Sequence, residues 1–371
     1  MLRKVFALLF ISLFINSLSI FAAHEESSQD SSEAEAFSPG TFIFDHILDA
    51  HEWHIAEIGE IPISLPLPII VYSRKQEKLM FFMSSKFHHG KEAYNGLFLC
   101  KEGDNKGKIV EVDAEGNVDE TAPMPLDFSI TKNVLAMFFS IFLLLAIFLT
   151  VARKYRKSPL EAPKGMQSWV EPLIVFVRDD IAKPAIGNIK YNKFMPFLLT
   201  AFFFIFFNNL LGLIPILPGG ANVTGNIAIT LVLALFTFVI TTLNGNMSYW
   251  KHIVNAPGVP WWIKIPIPLM PVVEVVGMFT KPFVLMVRLF ANISAGHIIA
   301  LGFFSLIFIF GQMNIWAGYG ISVISVAFAI FMTALELLVA FIQAYVFTLL
   351  SAIYFGMATE EHHHKEHEPI H

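Results

Sequence analysis

The sequence predicts an all-α polytopic membrane protein with a small β-rich domain outside the bilayer, and three observations lead there. Of 371 residues, 55% are hydrophobic and only 15% charged, where a soluble domain is about 45–50% apolar and about 25% charged. The mean hydropathy is +0.61, and 38 residues are Phe, a load that lipid absorbs and a water-facing surface does not. The apolar residues also gather into runs long enough to cross a bilayer, whereas residues 40–130 are more polar and alternate. A soluble enzyme is excluded. The net charge of −5 offers no basic footprint for nucleic acid, and the single Cys100 excludes an internal disulfide framework.

Residues 1–23 read as a signal peptide: Arg3 and Lys4, then an apolar stretch, then Ala22-Ala23. Phe21 or Ile20 would stand third before the cut, so an uncleaved anchor helix is the alternative. Residues 24–36 are rich in Ser and Glu and read as a flexible tail. Asp45–Ile58 has a helical pattern. Glu77–Met83, Gly96–Cys100 and Lys108–Val112 alternate as strands, separated by turn-rich segments such as Glu102-Gly103-Asp104-Asn105. Residues 24–130 are thus expected to form the extracytoplasmic region.

Residues 131–358 are the expected membrane domain. Asn133–Ala152 matches the roughly 20 residues that span a bilayer, and Arg153-Lys154-Tyr155-Arg156-Lys157 closes it. Ser158–Lys193, with mixed charge and four prolines, reads as interfacial. Phe194–Leu217 and Asn226–Leu243 are the second and third spans, and Gly245–Ile265 is an interfacial loop. Val272–Phe310 and Ile321–Met357 remain, with a Gly-rich uncharged turn between them. Residues 153–193 carry nine Lys/Arg and Gly245–Ile265 carries Lys251 and Lys264, while 218–226 and 311–320 carry none. Positive loops stay cytoplasmic, so five spans put the N-terminal domain outside and the His-rich tail, 359–371, inside. That topology agrees with a signal peptide. The last two runs, of about 37 residues, are roughly 55 Å long at 1.5 Å per residue. Against a hydrocarbon core of about 30 Å they form a hairpin tilted by about 55° or more, which needs a supporting surface such as a curved partner. A break within either run, at Gly296 or Gly302 for instance, would weaken this inference.

Charges inside the spans are few. Glu274, Lys281 and Arg288 are each seven residues apart, so they share one stripe of the fourth span. Asn292 lies one turn beyond Arg288, and His297 points to about the opposite face. Glu336 and Gln343 share a stripe of the fifth. Glu274 and Lys281 have an alternative reading as snorkelling groups near the interface. Arg288 has none: it lies far from any polar boundary, where a guanidinium costs about 2.5–3.5 kcal/mol and does not deprotonate. With a turn near 315–316, antiparallel partners have numbers that sum to about 631. Arg288 is then level with Gln343, which is expected to orient it, and His297 lies within a turn of Glu336. That His and carboxylate form either a proton-passing pair or a packed neutral one. If Glu336 pairs with His297, the counter-charge for Arg288 must come from another chain.

Arg288-Leu289-Phe290-Ala291-Asn292-Ile293-Ser294-Ala295-Gly296-His297 resembles the RLFGN-x-x-AG motif of subunit a of F-type ATP synthases. Further matches are Asn209-Leu210-Leu211-Gly212-Leu213-Ile214-Pro215, Lys281-Pro282, Leu335–Phe347, and the ending Met357-Ala358-Thr359-Glu360-Glu361-His362. The resemblance covers about residues 125–362. It departs at Ala291, where Gly is usual, and at Ser294, where many members carry Tyr; some members exchange the residues at positions 297 and 336.

The resemblance implies a non-catalytic, multi-pass stator subunit of the bacterial inner membrane, without a cofactor. Its implied partners are the c-subunit ring, the b-subunit peripheral stalk and the remaining synthase subunits. Asn292, His297, Glu336 and Gln343 would line an external half-channel, and Glu274 the cytoplasmic exit. Arg288 would meet the ring carboxylates and separate the two. No Walker motif is present, so ATP chemistry belongs to other subunits. A self-contained secondary transporter is the rival, but broken-helix inverted repeats are not evident. A metalloenzyme fits less well: His51-Glu52-Trp53-His54 is not H-E-x-x-H, and His46, His51 and His54 read as surface histidines of an amphipathic helix. The tail's His362-His363-His364 and His367 would bind metal only incidentally.

Overall fold

The computed structural model describes residues 39–58, 61–101, 103, 105–113, 116–119, 121–158, 161–214, 219–254 and 269–360. The expected signal peptide, and the tail beyond 360, lie outside them. The chain divides into two compact units: Met1–Ser140 with Leu210–Val223 and Ile298–Phe331, and Ile141–Asn209 with Thr224–His297 and Met332–His371.

In the first unit, a short helix α1 (Pro39–Ile47) precedes seven strands: β1 (Glu52–Ile58), β2 (Ile61–Pro66), β3 (Pro68–Ser73), β4 (Lys78–Met83), β5 (Leu97–Leu99), β6 (Ile109–Glu111) and β7 (Leu126–Asp127). They make three antiparallel sheets, ordered β1-β2, β4-β3-β7 and β5-β6. Strands β4, β5 and β6 lie inside the three alternating runs of the sequence. The helical reading of Asp45–Ile58 is overturned, because helix ends at Ile47 and strand begins at Glu52. The local period is two: His51 and Trp53 are buried while His54 is exposed. His51 is therefore no surface histidine of a helix. Its Nε2 lies 2.7 Å from Asp127 Oδ2, which ties the start of β1 to β7. Burial alone would raise the Asp127 carboxyl, but hydrogen bonds from His51 and Ser129 outweigh it and hold it below its ordinary value. Ile69, Val71, Met80 and Phe82 pack one face of the β4-β3-β7 sheet against Phe87, Leu97, Leu99 and Ile109.

This unit is bound to the head of helix α2 (Lys132–Lys157). Asp49 acts as its N-terminal cap, accepting the Asn133 N–H at 3.0 Å and the Thr131 hydroxyl at 2.7 Å. Lys132 donates from Nζ to the His46 and Leu48 carbonyls at 3.3 and 3.1 Å.

The remaining helices are α3 (Met166–Phe176), running through a π-helical turn at Val177–Ala182 into α4 (Lys183–Ile186), then α5 (Tyr191–Gly212), α6 (Ile227–Leu243), α7 (Met247–Val254), α8 (Leu269–Met313) and α9 (Ile315–Thr359). Helices α2, α5, α8 and α9 are long and apolar enough to cross a membrane, and α6 is a shorter apolar helix. In the second unit, Phe194, Phe202, Phe203, Phe347 and Phe355 are buried in a single core. The Pro-rich stretch expected at the interface also enters that core through Val170, Val177, Ile181 and Ala182. Helix α6 turns Thr230, Ala234, Thr237 and Thr241 inward and leaves Leu231, Leu235 and Phe236 exposed. That inversion, small and polar inside with large and apolar outside, suits a helix set in lipid.

The Gly-rich turn expected at 311–320 is helical instead. Each long helix has 45 residues, about 67 Å at 1.5 Å per residue, and only Asn314 separates them. Asn314 caps α9 by accepting the Trp316 N–H at 2.9 Å. Glycines here serve close approach rather than a loop: a Cβ on Gly318 would lie 2.8 Å from Gly311 Cα. Neither Gly296 nor Gly302 interrupts α8. Phe303 stacks on Phe328 with centroids 5.0 Å apart, the antiparallel register expected from the sequence.

Gly318→Val should therefore splay the hairpin end and destabilise the protein by about 1–3 kcal/mol. The measurement is thermal unfolding in detergent, with Gly320→Ala, which has open space, as the control expected to change little.

Candidate functional site

Leu285, Leu289 and Ile293 recur every four residues along α8 and are buried in the core of the second unit, with Ala344 and Phe347 of α9. Seating that stripe leaves Val284, Arg288, Ala291, Asn292 and Ala295 exposed on the chain's own surface. Arg288 is roughly 28 Å from one end of α8 and roughly 37 Å from the other, so it is out of reach of either end by snorkelling. Among the described residues it makes no hydrogen bond or ion pair. Among those residues it is a fixed cation without a counter-ion.

Glu336 approaches α8 from α9. Its Oε1 lies 3.6 Å from His297 Nδ1, and a Cβ on Gly296 would come within 2.6 Å of the same oxygen. Gly296 is thus the gap through which the carboxylate reaches the histidine. The Glu336 Oε1 is buried and has no hydrogen bond among the described residues. In the low-dielectric interior such an acceptor is available to a proton or a water. Gln343, two turns further along α9, is buried while Arg288 is exposed. Among the described residues no hydrogen bond joins them.

Glu274 is half-buried near the start of α8. Lys281, on the same stripe, does not pair with it: its Nζ sits over the Tyr354 ring, 5.7 Å from the centroid. Lys281 and Tyr354 line a cleft with Thr237, Thr241, Tyr249 and Met357.

A buried polar layer was not assigned a role from sequence. Asn209 donates to the Ala340 carbonyl at 3.3 Å, one turn beyond Glu336, and accepts the Thr224 hydroxyl. Asn208 donates to the Phe204 carbonyl at 2.7 Å, and its Oδ1 is buried without a hydrogen bond among the described residues. Its sequence signals are the Asn pair at the end of a Phe-rich span and the Asn209–Pro215 match.

Comparison with known proteins bears on this arrangement. A family model described as ATP synthase A chain matches residues 134–356, and a domain of unknown function matches residues 42–128. Over 255 residues the chain is 44% identical to ATP synthase subunit a of Chloroherpeton thalassium, covering 66% of this chain and 72% of that one. It is 41% identical over 288 residues to the Pelodictyon phaeoclathratiforme protein of that name, covering 76% and 80%. With that of Myxococcus xanthus it shares 44% over 249 residues, covering 65% and 77%.

The Gly296 gap has a direct test. Gly296→Ala should shift the infrared carboxyl band of Glu336, assigned by its loss in Glu336→Gln, because the added methyl displaces that side chain. Gly302→Ala, with open space around it, should leave the band where it is.

Proposed function

The chain belongs to the ATP synthase subunit a family, and from that premise we propose that Arg288 is the fixed charge past which rotor carboxylates exchange their protons. Members of this family are non-catalytic subunits of a membrane sector that couples proton transport to ATP synthesis. The observation that carries the reading is the exposed Arg288, midway along α8 and without an anion among the described residues.

Helices α2, α5, α6, α8 and α9 cross the bacterial inner membrane, with α6 spanning about 26 Å of a core of about 30 Å. Residues 1–23 are the signal peptide, 24–130 the extracytoplasmic region, 131–358 the membrane domain and 359–371 the cytoplasmic tail. The α8–α9 hairpin, too long to stand upright, lies steeply tilted along a curved ring of c subunits. Ala291 and Ala295, exposed on either side of Asn292, let a ring helix approach closely. The b-subunit stalk and the rest of the synthase hold this chain still.

A proton enters from outside along Asn292, His297, Glu336 and Gln343, with Asn209 in the same polar layer. It neutralises a ring carboxylate, which then faces lipid at far lower cost than a charged one. After most of a revolution the carboxyl reaches the cytoplasmic half-channel, where Glu274 lines the exit. Arg288 there favours the ionised carboxylate, so the proton leaves. Because the guanidinium stays charged, it also stops protons crossing between half-channels unless the ring turns. Each charge moved through 100 mV supplies about 2.3 kcal/mol.

Arg288→Ala should leave a complex that assembles but makes no ATP from an imposed proton gradient. Losing one partner of a desolvated pair costs about 3–5 kcal/mol, more than a hundredfold. Arg288→Lys should also fail, because a compact ammonium lacks the planar fork and sheds its proton when buried. Normal synthesis by either variant would contradict the mechanism. For the His297–Glu336 pair, each single exchange, His297→Glu or Glu336→His, should suppress proton-driven synthesis, and the double exchange should recover part of it. A double variant no better than the worse single would mean the two do not act together.

A further inference from the structure

The β4-β3-β7 sheet is apolar on both faces, but among the described residues only one is covered. On the open face, Phe81 of β4 stands opposite Ile70 of β3, and Leu79 stands opposite Tyr72. Leu126 of β7 pairs with Tyr72, and the Phe128 N–H bonds to the Ile70 carbonyl, so Phe128 extends the first row. Phe81, Phe128 and Leu79 are 70%, 62% and 61% exposed. No charged residue stands in these two rows. An antiparallel sheet that faces water carries polar residues on its open side; this one is built to be covered twice.

Its position identifies the second cover. Phe128 is four residues ahead of Lys132, where α2 begins, at most about 14 Å of extended chain. The junction is stiff: the Ile130 N–H bonds to the Pro68 carbonyl, and the Lys132 N–H to the Ala50 carbonyl. Phe44 and Leu48, both exposed, flank the place where Lys132 grips the end of α1. Along α2 the apolar surface continues through exposed Phe138 and Phe139. The headgroup layer on each side of a bilayer is about 5–8 Å thick. A face fixed this close to the head of a spanning helix meets that layer, and aromatic rings are favoured there.

We propose that the open face of the β4-β3-β7 sheet rests on the outer leaflet, with Phe81 and Phe128 set among the lipid headgroups. The proposal rests on the placement of residues 24–130 outside the membrane. It makes this region a shallow second attachment that steadies the head of α2, rather than a freely tumbling domain.

The test uses the full chain assembled with its partner subunits in membrane vesicles. Nitroxide labels are placed at Phe81→Cys, Phe128→Cys and Lys108→Cys in a Cys100→Ser background. Lys108 is exposed and adjoins β6, in the hairpin that covers the other face. Collisions with oxygen, which concentrates in lipid, are compared with collisions with a water-soluble nickel chelate. The oxygen-to-chelate ratio should be several-fold higher at 81 and 128 than at 108. Equal ratios at all three sites would overturn the proposal, since the face would then lie in water. Shielding of 81 and 128 from both probes would also overturn it, by revealing a protein cover. Sidedness is read separately: an impermeant maleimide should reach Lys108→Cys from the outside of right-side-out vesicles. Labelling only from the cytoplasmic side would refute the outer placement, and with it the outer leaflet, while the collision ratio still judges whether lipid is touched.

Discussion

A guanidinium held midway along an apolar helix is the constraint on which the rest of this structure depends. A lysine or carboxylate in such a place can shed its charge; an arginine does not. The long α8 keeps Arg288 far from either end, so the charge cannot reach water by bending. The core then decides which way it points. Leu285, Leu289 and Ile293 face inward, and the geometry of a helix turns Arg288 outward. Among the described residues no anion meets it there.

Close contacts fix each part of the two long helices. Gly311 and Gly318 bring the two long helices into contact at the turn, Phe303 and Phe328 stack further down, and Gly296 admits Glu336. At the other end of α9, the Thr359 carbonyl accepts from both Lys190 and Asn246, each at 2.8 Å. These place a positive charge and an amide on the negative end of the helix dipole. Arg288, His297, Glu336 and Gln343 therefore sit on long helices rather than on loops.

Much of this was legible from sequence, for identifiable reasons. Arg288 stood out because hydrocarbon penalises it so heavily that its presence requires explanation. The register of His297 with Glu336 followed because two straight antiparallel helices obey simple arithmetic. What the sequence hid was of another kind. The glycines near 311–320 read as a loop, since helix propensity knows nothing of a second backbone pressed against them. Asp45–Ile58 read as helix because a short segment satisfies two periods at once, and only the long-range contact of His51 with Asp127 distinguishes them. Asn209 carried no visible role because its partners, Thr224 and Ala340, are remote in sequence.

The most direct test is to determine which carboxylate stands nearest the Arg288 guanidinium in the assembled membrane sector, by high-resolution structure determination of the complex in lipid. The account predicts a carboxylate of a neighbouring ring subunit, with no ion pair to any acid of this chain. An Arg288 bonded to a carboxylate of its own polypeptide, or lying at the headgroups, would contradict it.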